Sequence, residues 1–337
     1  MIREAIDAVV RRQDLSLEDS AQAMNEIMMG EATPAQISAF ITGLRMKGET
    51  VDEITGMART MRGQSLHVET AGDLVDTCGT GGDGRGTINV STAAAIVTAA
   101  TGVKVAKHGN RAASGQCGSA DVLEAMGVKI DLAPDGVKQC IDEEGFGFMF
   151  AQTFHPSMRH AGGPRREIGI RTVFNILGPL TNPAGAQGQV LGVADETIGE
   201  KMAEVLGSLG TRRAMVVYGM DGLDEISIGA PTQVWELAEG KVSSYTIAPE
   251  DAGLNRASVD EILGGTVETN ADRLARVLSG EIGPALDVVL LNAAAALMVG
   301  GTVSTFREGV DQARKAVIEG RAAAKLAAIV GLSQRLA

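Results

Sequence analysis

Residues 74–107 read LVDTCGTGGDGRGTINVSTAAAIVTAATGVKVAK, and the alternation within this stretch decides the fold class. An apolar run of strand length is followed by a glycine-rich loop, then by a helical stretch at about 89–100, and then by a second apolar run. This order is typical of a parallel α/β sheet with right-handed crossovers. Further core strands are predicted at 128–132, 146–152, 189–194 and 213–219, and a more exposed hairpin at 232–237 and 241–247. We therefore expect an α/β protein with a central mixed, mostly parallel sheet.

The sequence before residue 70 divides instead into four short helices. Apolar residues between Ile2 and Val10 follow the helical period. Ser16, Thr33 and Thr50 each stand three residues before Asp, Gln or Glu, which is the spacing of a capping box. Because this segment has few large apolar residues, we expect it to pack on a partner surface, either the rest of the chain or another subunit.

Composition and charge limit the classes of function. The 337 residues predict about two domains. The 43 glycines lack a collagen repeat, so they indicate backbone that turns sharply or approaches a ligand closely. The net charge of −12 disfavours general attraction to nucleic acid or an anionic membrane, so any phosphate site must be local.

Cysteine spacing and hydropathy indicate a cytoplasmic protein. Cys78, Cys117 and Cys140 have no metal-ligand spacing and are expected to be reduced thiols. The N-terminal stretch lacks the apolar core of a signal peptide. The longest apolar run, 288–299, is shorter than a membrane span and contains an asparagine.

The glycine-rich loop at 79–86 joins a predicted strand to a predicted helix. Ligands of open α/β sheets bind beyond the carboxyl ends of strands, and a helix N-terminus presents free N–H groups to an anion. The loop therefore predicts a phosphate site with Thr87, Asn89, Ser91 and Thr92 as donors. The alternative is a plain turn capped by Asn89. The loop fits neither the P-loop pattern nor the dinucleotide fingerprint.

A second loop of this kind follows the next predicted strand. Residues 107–128, KHGNRAASGQCGSADVLEAMGV, place the cations Lys107 and Arg111 beside His108 and Asn110 and then open another helix. Taken alone, the cationic segment could be a solvated basic turn. Two such loops on adjacent strand–helix units instead predict one site with two anion-binding loops.

Together with two later stretches, these loops resemble the anthranilate phosphoribosyltransferase family. The later stretches are HPSMRHAGGPRREIGIRTVFNILGPLTNPA at 155–184 and GLDEIS at 222–227, and the four motifs occur in family order over nearly the whole chain. The resemblance implies a small all-helical domain and a large α/β domain with a cleft between them, the fold of the pyrimidine nucleoside phosphorylases. It places residues 1–70 and about 167–188 in the helical domain, and 71–166 with 189–337 in the phosphoribosyl-binding α/β domain.

The resemblance also implies a reaction and a cofactor. Members of the family transfer the phosphoribosyl group of 5-phosphoribosyl 1-pyrophosphate to the amine of anthranilate in tryptophan biosynthesis, inverting the anomeric carbon and releasing pyrophosphate. They require Mg²⁺. Two ions per monomer are expected here, held by Ser91, Asp224 and Glu225. Without the family, the adjacent Asp224 and Glu225 would be interpreted as a solvated charged turn.

The other site residues are implied by the matching motif positions. For the sugar donor, contacts are implied for Gly79, Gly82, Asp83, Thr87, Asn89, Val90, Ser91, Thr92, Lys107, His108, Gly109, Asn110, Arg111, Ala112, Ala113, Ser114, Gly115 and Ser119. For anthranilate, contacts are implied for Gly79, Asn110, Arg165, His108 and His155.

Within the acceptor set, Arg165 would hold the anthranilate carboxylate, whereas Arg166 beside it is interpreted as an ordinary surface charge. No dedicated catalytic base is assigned, because a lone histidine is more often a packing residue than a proton carrier. Positioning and Mg²⁺ are expected to do the chemistry.

Two alternative functions remain open from the sequence. A nucleoside phosphorylase of the same fold would bind phosphate and a ribosyl unit, but it would need a base pocket and usually lacks the Asp-Glu pair. A non-catalytic relative that binds nucleic acid would need a basic surface, which the charge of −12 disfavours. The family resemblance also makes a homodimer through the helical domain plausible, with no nucleic-acid or membrane partner.

Overall fold

A computed structural model describes residues 1–112 and 115–337 of the chain. The N-terminal segment forms a bundle of the four predicted helices, whose caps agree with the sequence. The hydroxyls of Ser16, Thr33 and Thr50 each accept a bond from the backbone N–H three residues on, and the last two complete capping boxes. The four helices are α1 (Ile2–Val10), α2 (Leu17–Met28), α3 (Pro34–Lys47) and α4 (Val51–Gly63).

Within the described residues, seven strands form one sheet in the order β3-β2-β1-β4-β5-β6-β7. The first five strands in this order are parallel, and the last two extend the sheet as an antiparallel hairpin. The predicted mixed, mostly parallel sheet is therefore confirmed. The strands are β1 (Val75–Gly79), β2 (Val105–Gly109), β3 (Phe146–Phe150), β4 (Gly188–Gly192), β5 (Arg213–Gly219), β6 (Thr232–Ala238) and β7 (Lys241–Ile247).

Helices cover both faces of this sheet. They are, in chain order, α5 (Val90–Ala100), α6 (Ser119–Ala125), α7 (Pro134–Glu144), α8 (Ala151–Phe154), α9 (Arg159–Ile168), α10 (Phe174–Leu177), α11 (Gly199–Ser208), α12 (Val267–Leu278), α13 (Pro284–Val299), α14 (Phe306–Ile318) and α15 (Arg321–Arg335). No helix in the two described ranges combines the length and the hydrophobicity that a bilayer span requires.

The two faces of the sheet pack into different hydrophobic cores, as the alternating side chains of β4 and β5 show. Val190 and Met215 join the core that α5, α13 and α14 share, whereas Leu191 and Val216 join the core of the helical bundle. This second core also contains Phe174 and residues of α11. Of the two partner surfaces expected for the bundle, the structure thus supplies the rest of the chain.

Two strand predictions need correction. Residues 128–132 form no strand, although Val128, Ile130 and Leu132 are buried as the pattern suggested. This segment lies beside α15, where the Lys129 N–H donates to the hydroxyl of Ser333 at 3.0 Å, so it has no sheet edge to pair with. The hairpin is exposed only in part: most of β7 is exposed, but β6 buries Val234 and Trp235.

Candidate active site

The two glycine-rich loops and the GLDEIS segment meet at the carboxyl edge of the parallel strands. The first loop follows β1, the second follows β2, and GLDEIS follows β5. Strand order reverses between β1 and β4, and such a switch point is where open α/β sheets bind ligands. The site that the sequence predicted at this edge is therefore assembled in one place.

Asp224 lies directly beneath the first loop. Its Oδ2 accepts a bond of 2.7 Å from the Gly81 N–H. Gly79 and Gly192, paired at the ends of β1 and β4, leave the room that this contact needs. A Cβ at Gly79 would lie 2.3 Å from Asp224 Oδ2, and one at Gly192 only 1.7 Å from the Asp224 carbonyl oxygen. The motif comparison missed Gly192, whose only signal was a glycine ending an apolar strand.

Glu225 reaches the N-terminus of α5. Its Oε1 accepts a bond of 3.1 Å from the Ser91 N–H. Sequence reasoning assigned this helix N-terminus to an anion of the ligand; in the structure the anion at Ser91 is the Glu225 carboxylate. Asp224 and Glu225 are therefore not a solvated charged turn, since each is held by the loop or helix above it.

The electrostatics of the acidic pair favour a cation. Burial, and then the nearby Asp83, raise the pKa of Asp224, while burial, and then Asp224, raise the pKa of Glu225. Three carboxyl groups thus crowd one edge of the cleft beside the hydroxyl-bearing Ser91. All are hard oxygen donors, so the donor set fits Mg²⁺. No group of three His, Cys, Asp or Glu side chains among the described residues is arranged as a complete metal cage.

Lys107 and His108 lie at the end of β2 and not in the loop after it, which corrects the expected basic turn. Lys107 is buried, and its Nζ donates to the Thr77 carbonyl and, at 3.4 Å, to Ser91 Oγ. Its charge therefore lies underneath the helix N-terminus and the acidic pair. Burial lowers the pKa of Lys107, while Asp76 acts in the opposite direction.

The second cation, Arg111, is paired within its own loop and helix. Its Nη1 lies 2.9 Å from Asp121 Oδ1 and 2.7 Å from Glu124 Oε2. The loop is thus less cationic than the sequence indicated, because two carboxylates of α6 offset this charge. Ala113 and Ser114, which were also expected to contact the donor, lie outside the described residues.

Asn89 links the two loops and does not cap α5. Its side chain makes no capping bond to α5, so the expected cap by Asn89 is wrong. Instead Asn89 Nδ2 donates to the Cys117 carbonyl at 3.0 Å, and Asn89 Oδ1 accepts from Asn270 Nδ2 at 3.1 Å. Asn270 is buried on α12, some 180 residues away, and nothing in the local sequence pointed to it.

The remaining donor-loop residues line the same edge. Thr87 forms a single bridge to Leu263, and Asp83 accepts a bond from the Arg85 N–H. Gly82, Asn110, Ala112 and Gly115 lie in the two loops, Gly109 ends β2 and Ser119 begins α6, while Val90 and Thr92 are buried at the start of α5.

His108 and His155 form a buried pair beside the backbone of residues 178–181. Their ring centroids are 5.0 Å apart. Burial lowers the pKa of His108 to about 3 and that of His155 to about 4, so both rings are neutral. The backbone of Gly178 and Thr181 lies nearby, yet within the described part of the chain His108 Nε2 and both His155 nitrogens lack a well-formed hydrogen bond.

The side chain of Asp76, on the neighbouring strand β1, holds the C-terminal end of β2 in place. Its Oδ1 accepts from the His108 N–H at 3.3 Å and its Oδ2 from Asn182 Nδ2 at 2.8 Å. Asn182 also donates to the Ala106 carbonyl. Sequence reasoning missed Asp76 and Asn182, because their partners are distant in the chain.

Arg165 lies on α9 and contacts Phe174 of α10. It is half-buried, with Cζ 5.1 Å from the centre of the Phe174 ring and Nη2 3.5 Å from the Phe174 carbonyl oxygen. Burial lowers its pKa, which still leaves the guanidinium charged. Arg166 is exposed, as expected for a surface charge.

These features define a class of protein: an α/β protein with a helical bundle whose site, at the sheet's switch point, combines two glycine-rich loops with an acidic pair suited to a divalent cation. Family models match both parts: the helical bundle domain of the glycosyl transferase family over residues 3–65, and its a/b domain over 71–323. The chain belongs to the anthranilate phosphoribosyltransferases.

Individual relatives agree with this assignment over their full length. The enzyme of that name from Moorella thermoacetica is 55% identical over 98% of both chains. The crystal structure of the Thermus thermophilus enzyme superposes with a TM-score of 0.94 at 43% identity, covering 98% of this chain and 99% of that one. The Saccharomyces cerevisiae enzyme in complex with PRPP and Mg gives a TM-score of 0.91 at 26% identity, covering 99% and 98%.

Proposed function

We propose that this protein transfers the phosphoribosyl group of 5-phosphoribosyl 1-pyrophosphate to the amine of anthranilate, giving N-(5-phosphoribosyl)anthranilate and pyrophosphate in tryptophan biosynthesis. The observation that carries the proposal is the pair of contacts that the acidic residues make, Asp224 with Gly81 of the first glycine-rich loop and Glu225 with Ser91 at the N-terminus of α5. A ligand with two anionic ends and a divalent cation suits this arrangement.

The donor binds along the two loops in this proposal. The N–H groups of the loop at 79–86 other than that of Gly81, together with the side chains at the start of α5, receive phosphate oxygens, and Lys107 beneath them supplies positive charge. Asn89 links the two loops through its 3.0 Å bond to the Cys117 carbonyl, and the 3.1 Å bond from Asn270 on α12 holds the Asn89 side chain in place. The donor contacts proposed here are those implied by the motif positions in both loops.

Ser91, Asp224 and Glu225 are proposed to hold Mg²⁺, two ions per monomer. Their oxygen atoms lie close together at the edge of the cleft, and oxygen atoms are the ligands that Mg²⁺ prefers. When bound, Mg²⁺ would offset the charge of the departing pyrophosphate. The protein contributes the carboxylates of Asp224 and Glu225, whose negative charges are unfavourable in this buried site unless a cation binds. This is consistent with the raised pKa values of Asp224 and Glu225.

Arg165, Gly79, Asn110 and the two neutral histidines are proposed to receive anthranilate. The planar guanidinium of Arg165 would pair with its carboxylate, and the unpartnered nitrogens of His108 and His155 offer hydrogen-bonding positions along the entry. The aromatic amine reacts as a neutral group, so catalysis depends on holding it in line with the anomeric carbon, and its proton leaves afterwards.

We propose that residues 1–70 with 167–188 act as one lobe and 71–166 with 189–337 as the other. The cleft lies where the two meet, and closure would exclude water from the activated sugar. Support comes from Phe174 and Leu177, which lie within 167–188 and share the core of the bundle.

The function is tested by following anthranilate fluorescence. Addition of 5-phosphoribosyl 1-pyrophosphate and Mg²⁺ is expected to quench it with time, and a chelator is expected to stop the reaction. Thymidine and uridine with phosphate serve as the control for a phosphorylase. Folded protein that leaves the fluorescence unchanged would overturn the proposal.

Arg165→Ala is expected to raise the Michaelis constant for anthranilate by about 10- to 100-fold, the worth of a charge-assisted hydrogen bond pair. The constant for the sugar donor should change by less than about threefold. Arg166→Ala is the matched control, since Arg166 is adjacent but exposed. Equal effects on both substrates would contradict the assigned role.

A cytoplasmic homodimer is also proposed. Val10 on α1 and Met46 on α3 are 66% and 72% exposed, which leaves apolar surface on the helical bundle for a second copy. All three cysteines are free, in keeping with a reducing compartment. Sedimentation equilibrium tests the dimer: Val10→Glu with Met46→Glu should give a monomer, and a monomeric unaltered protein would refute it.

A further inference from the structure

Asn292 is a polar side chain inside an otherwise apolar buried helix. It lies on α13, and from residue 288 to 299 it is the only residue that is not Ala, Val, Leu or Met. Its side chain is 2% exposed. A buried amide is unfavourable unless each of its hydrogen-bonding groups finds a partner, so its partners indicate its role.

Two of those partners are backbone groups of one residue, the N–H and the carbonyl of Ile226. Asn292 Oδ1 accepts from the Ile226 N–H at 3.0 Å, and Asn292 Nδ2 donates to the Ile226 carbonyl at 3.0 Å. The second N–H of the amide bonds to the Val288 carbonyl at 2.9 Å, one turn back on α13. The amide thus pairs with Ile226 as a neighbouring β-strand would, and both its donors are used.

Ile226 directly follows Asp224 and Glu225, in a segment that belongs to no strand. The backbone of this segment therefore has no sheet ladder to hold it. Asn292 anchors it from inside the protein, whereas the Ser91 N–H holds the Glu225 carboxylate from the cleft side. Glu225, Ser91 and Asn292 also lie around one narrow gap beneath the site.

We propose that Asn292 is a positioning residue for the cation site: it holds the backbone beside Glu225 so that both carboxylates keep their orientation when a divalent cation draws them from the Gly81 and Ser91 N–H groups. The proposal deepens the proposed function and rests on its assignment of Asp224 and Glu225 as metal ligands. Without the anchor the carboxylates would have to be ordered at the moment of binding, which lowers affinity.

The test separates positioning from packing. Asn292→Leu keeps the branched shape and the number of side-chain heavy atoms but leaves the Ile226 N–H and carbonyl without their side-chain partner. Leu290→Ala is the control, because Leu290 is buried on the same helix but on a different face from Asn292. Leu290 lies one turn before Ala294, which packs on Gly309 of α14. Truncation of the Leu290 side chain therefore destabilises the packing of α13 without removing a bond to Ile226. Both variants are made in the full-length protein, and thermal unfolding is recorded for each.

Binding of Mn²⁺, used as the probe, is measured from the electron paramagnetic resonance signal of the free ion, together with the Mg²⁺ concentration for half-maximal turnover. Asn292→Leu is expected to weaken both by about tenfold or more, with the Michaelis constant for anthranilate changed by less than about twofold. Leu290→Ala should leave both cation constants within about twofold of the unaltered protein.

Unchanged Mn²⁺ affinity in folded Asn292→Leu would overturn the proposal, and so would equal weakening in Leu290→Ala. If Asn292→Leu does not fold, Asn292→Ala carries the same test on a helix already rich in alanine. Failure of the proposed function would appear differently, as absent turnover in the unaltered protein, while its Mn²⁺ titration could still be compared with that of the variants.

Discussion

Asp224→Asn combined with Glu225→Gln is expected to lower turnover by at least about 10³-fold at ordinary Mg²⁺ concentrations. The neutral amides keep the shape of the pair but cannot hold a divalent cation. Steady-state kinetics over a range of Mg²⁺ concentrations would measure the loss.

The same double variant is not expected to be less stable than the unaltered protein without metal. Folding raises the pKa of both carboxyl groups, so their ionised forms favour the unfolded chain, and this penalty grows as the pH rises above their ordinary range. Removing the two charges removes that penalty. Thermal unfolding near neutral pH should therefore give an equal or higher midpoint.

The chain provides its own control for this variant. Asp260 and Glu261 are another adjacent Asp-Glu pair, but both lie exposed in the short 3-10 helix Val259–Ile262. Asp260→Asn with Glu261→Gln should leave turnover within about twofold. Near-normal turnover in the Asp224 and Glu225 variant would refute their assignment as metal ligands.

Gly192→Ala is expected to lower kcat/KM by about 100-fold or more, because the added methyl group displaces the metal-binding segment. Its Cβ would lie 1.7 Å from the Asp224 carbonyl oxygen and 2.4 Å from its carbonyl carbon, where contacts under 3.0 Å essentially never occur. These are backbone atoms, so no change of rotamer relieves the overlap. Either β4 or the segment at Asp224 must move by more than about 1 Å.

Kinetics at saturating and limiting Mg²⁺ would check this, and the half-saturating Mg²⁺ concentration is expected to rise. Gly63→Ala is the control, since a Cβ at Gly63, in the last turn of α4, meets nothing within 4 Å and its φ is not in the left-handed region. That variant should be neutral or slightly more stable. If Gly192→Ala retained ordinary kinetics and ordinary Mg²⁺ activation, the close packing of Gly192 against the Asp224 backbone would not be required for activity, and the prediction would be wrong.

Local patterns predicted the secondary structure well where the signal was itself local. Thr33 and Thr50 begin α3 and α4 as expected, because a capping box is complete within four residues. The segment at 128–132 failed for the opposite reason. Its apolar residues indicated burial correctly, but whether buried chain pairs as a strand depends on a free neighbouring edge, and its neighbour is α15.

For the site, the sequence predicted the segments that form it but not the contacts of their side chains. The two loops and the Asp-Glu pair were placed by their motifs, and the strand order confirms that they share one edge. The state of individual side chains was not predictable: Lys107 is buried in a strand, Arg111 is paired with α6, and Asn89 bonds to Asn270. Each of these depends on a partner many residues away.

The sequence by itself determined the family, the alternation of strand and helix, and the residue types at the site, because these are carried by short motifs and by periodicity. Only the tertiary structure decided which groups support the acidic pair: Gly192 by leaving room beside Asp224, and Asn292 by pairing with Ile226. The physical reason is that close approach and hydrogen-bond pairing are properties of distances in space. Residues 66 positions apart, as Ile226 and Asn292 are, leave no local pattern from which such a distance could be inferred.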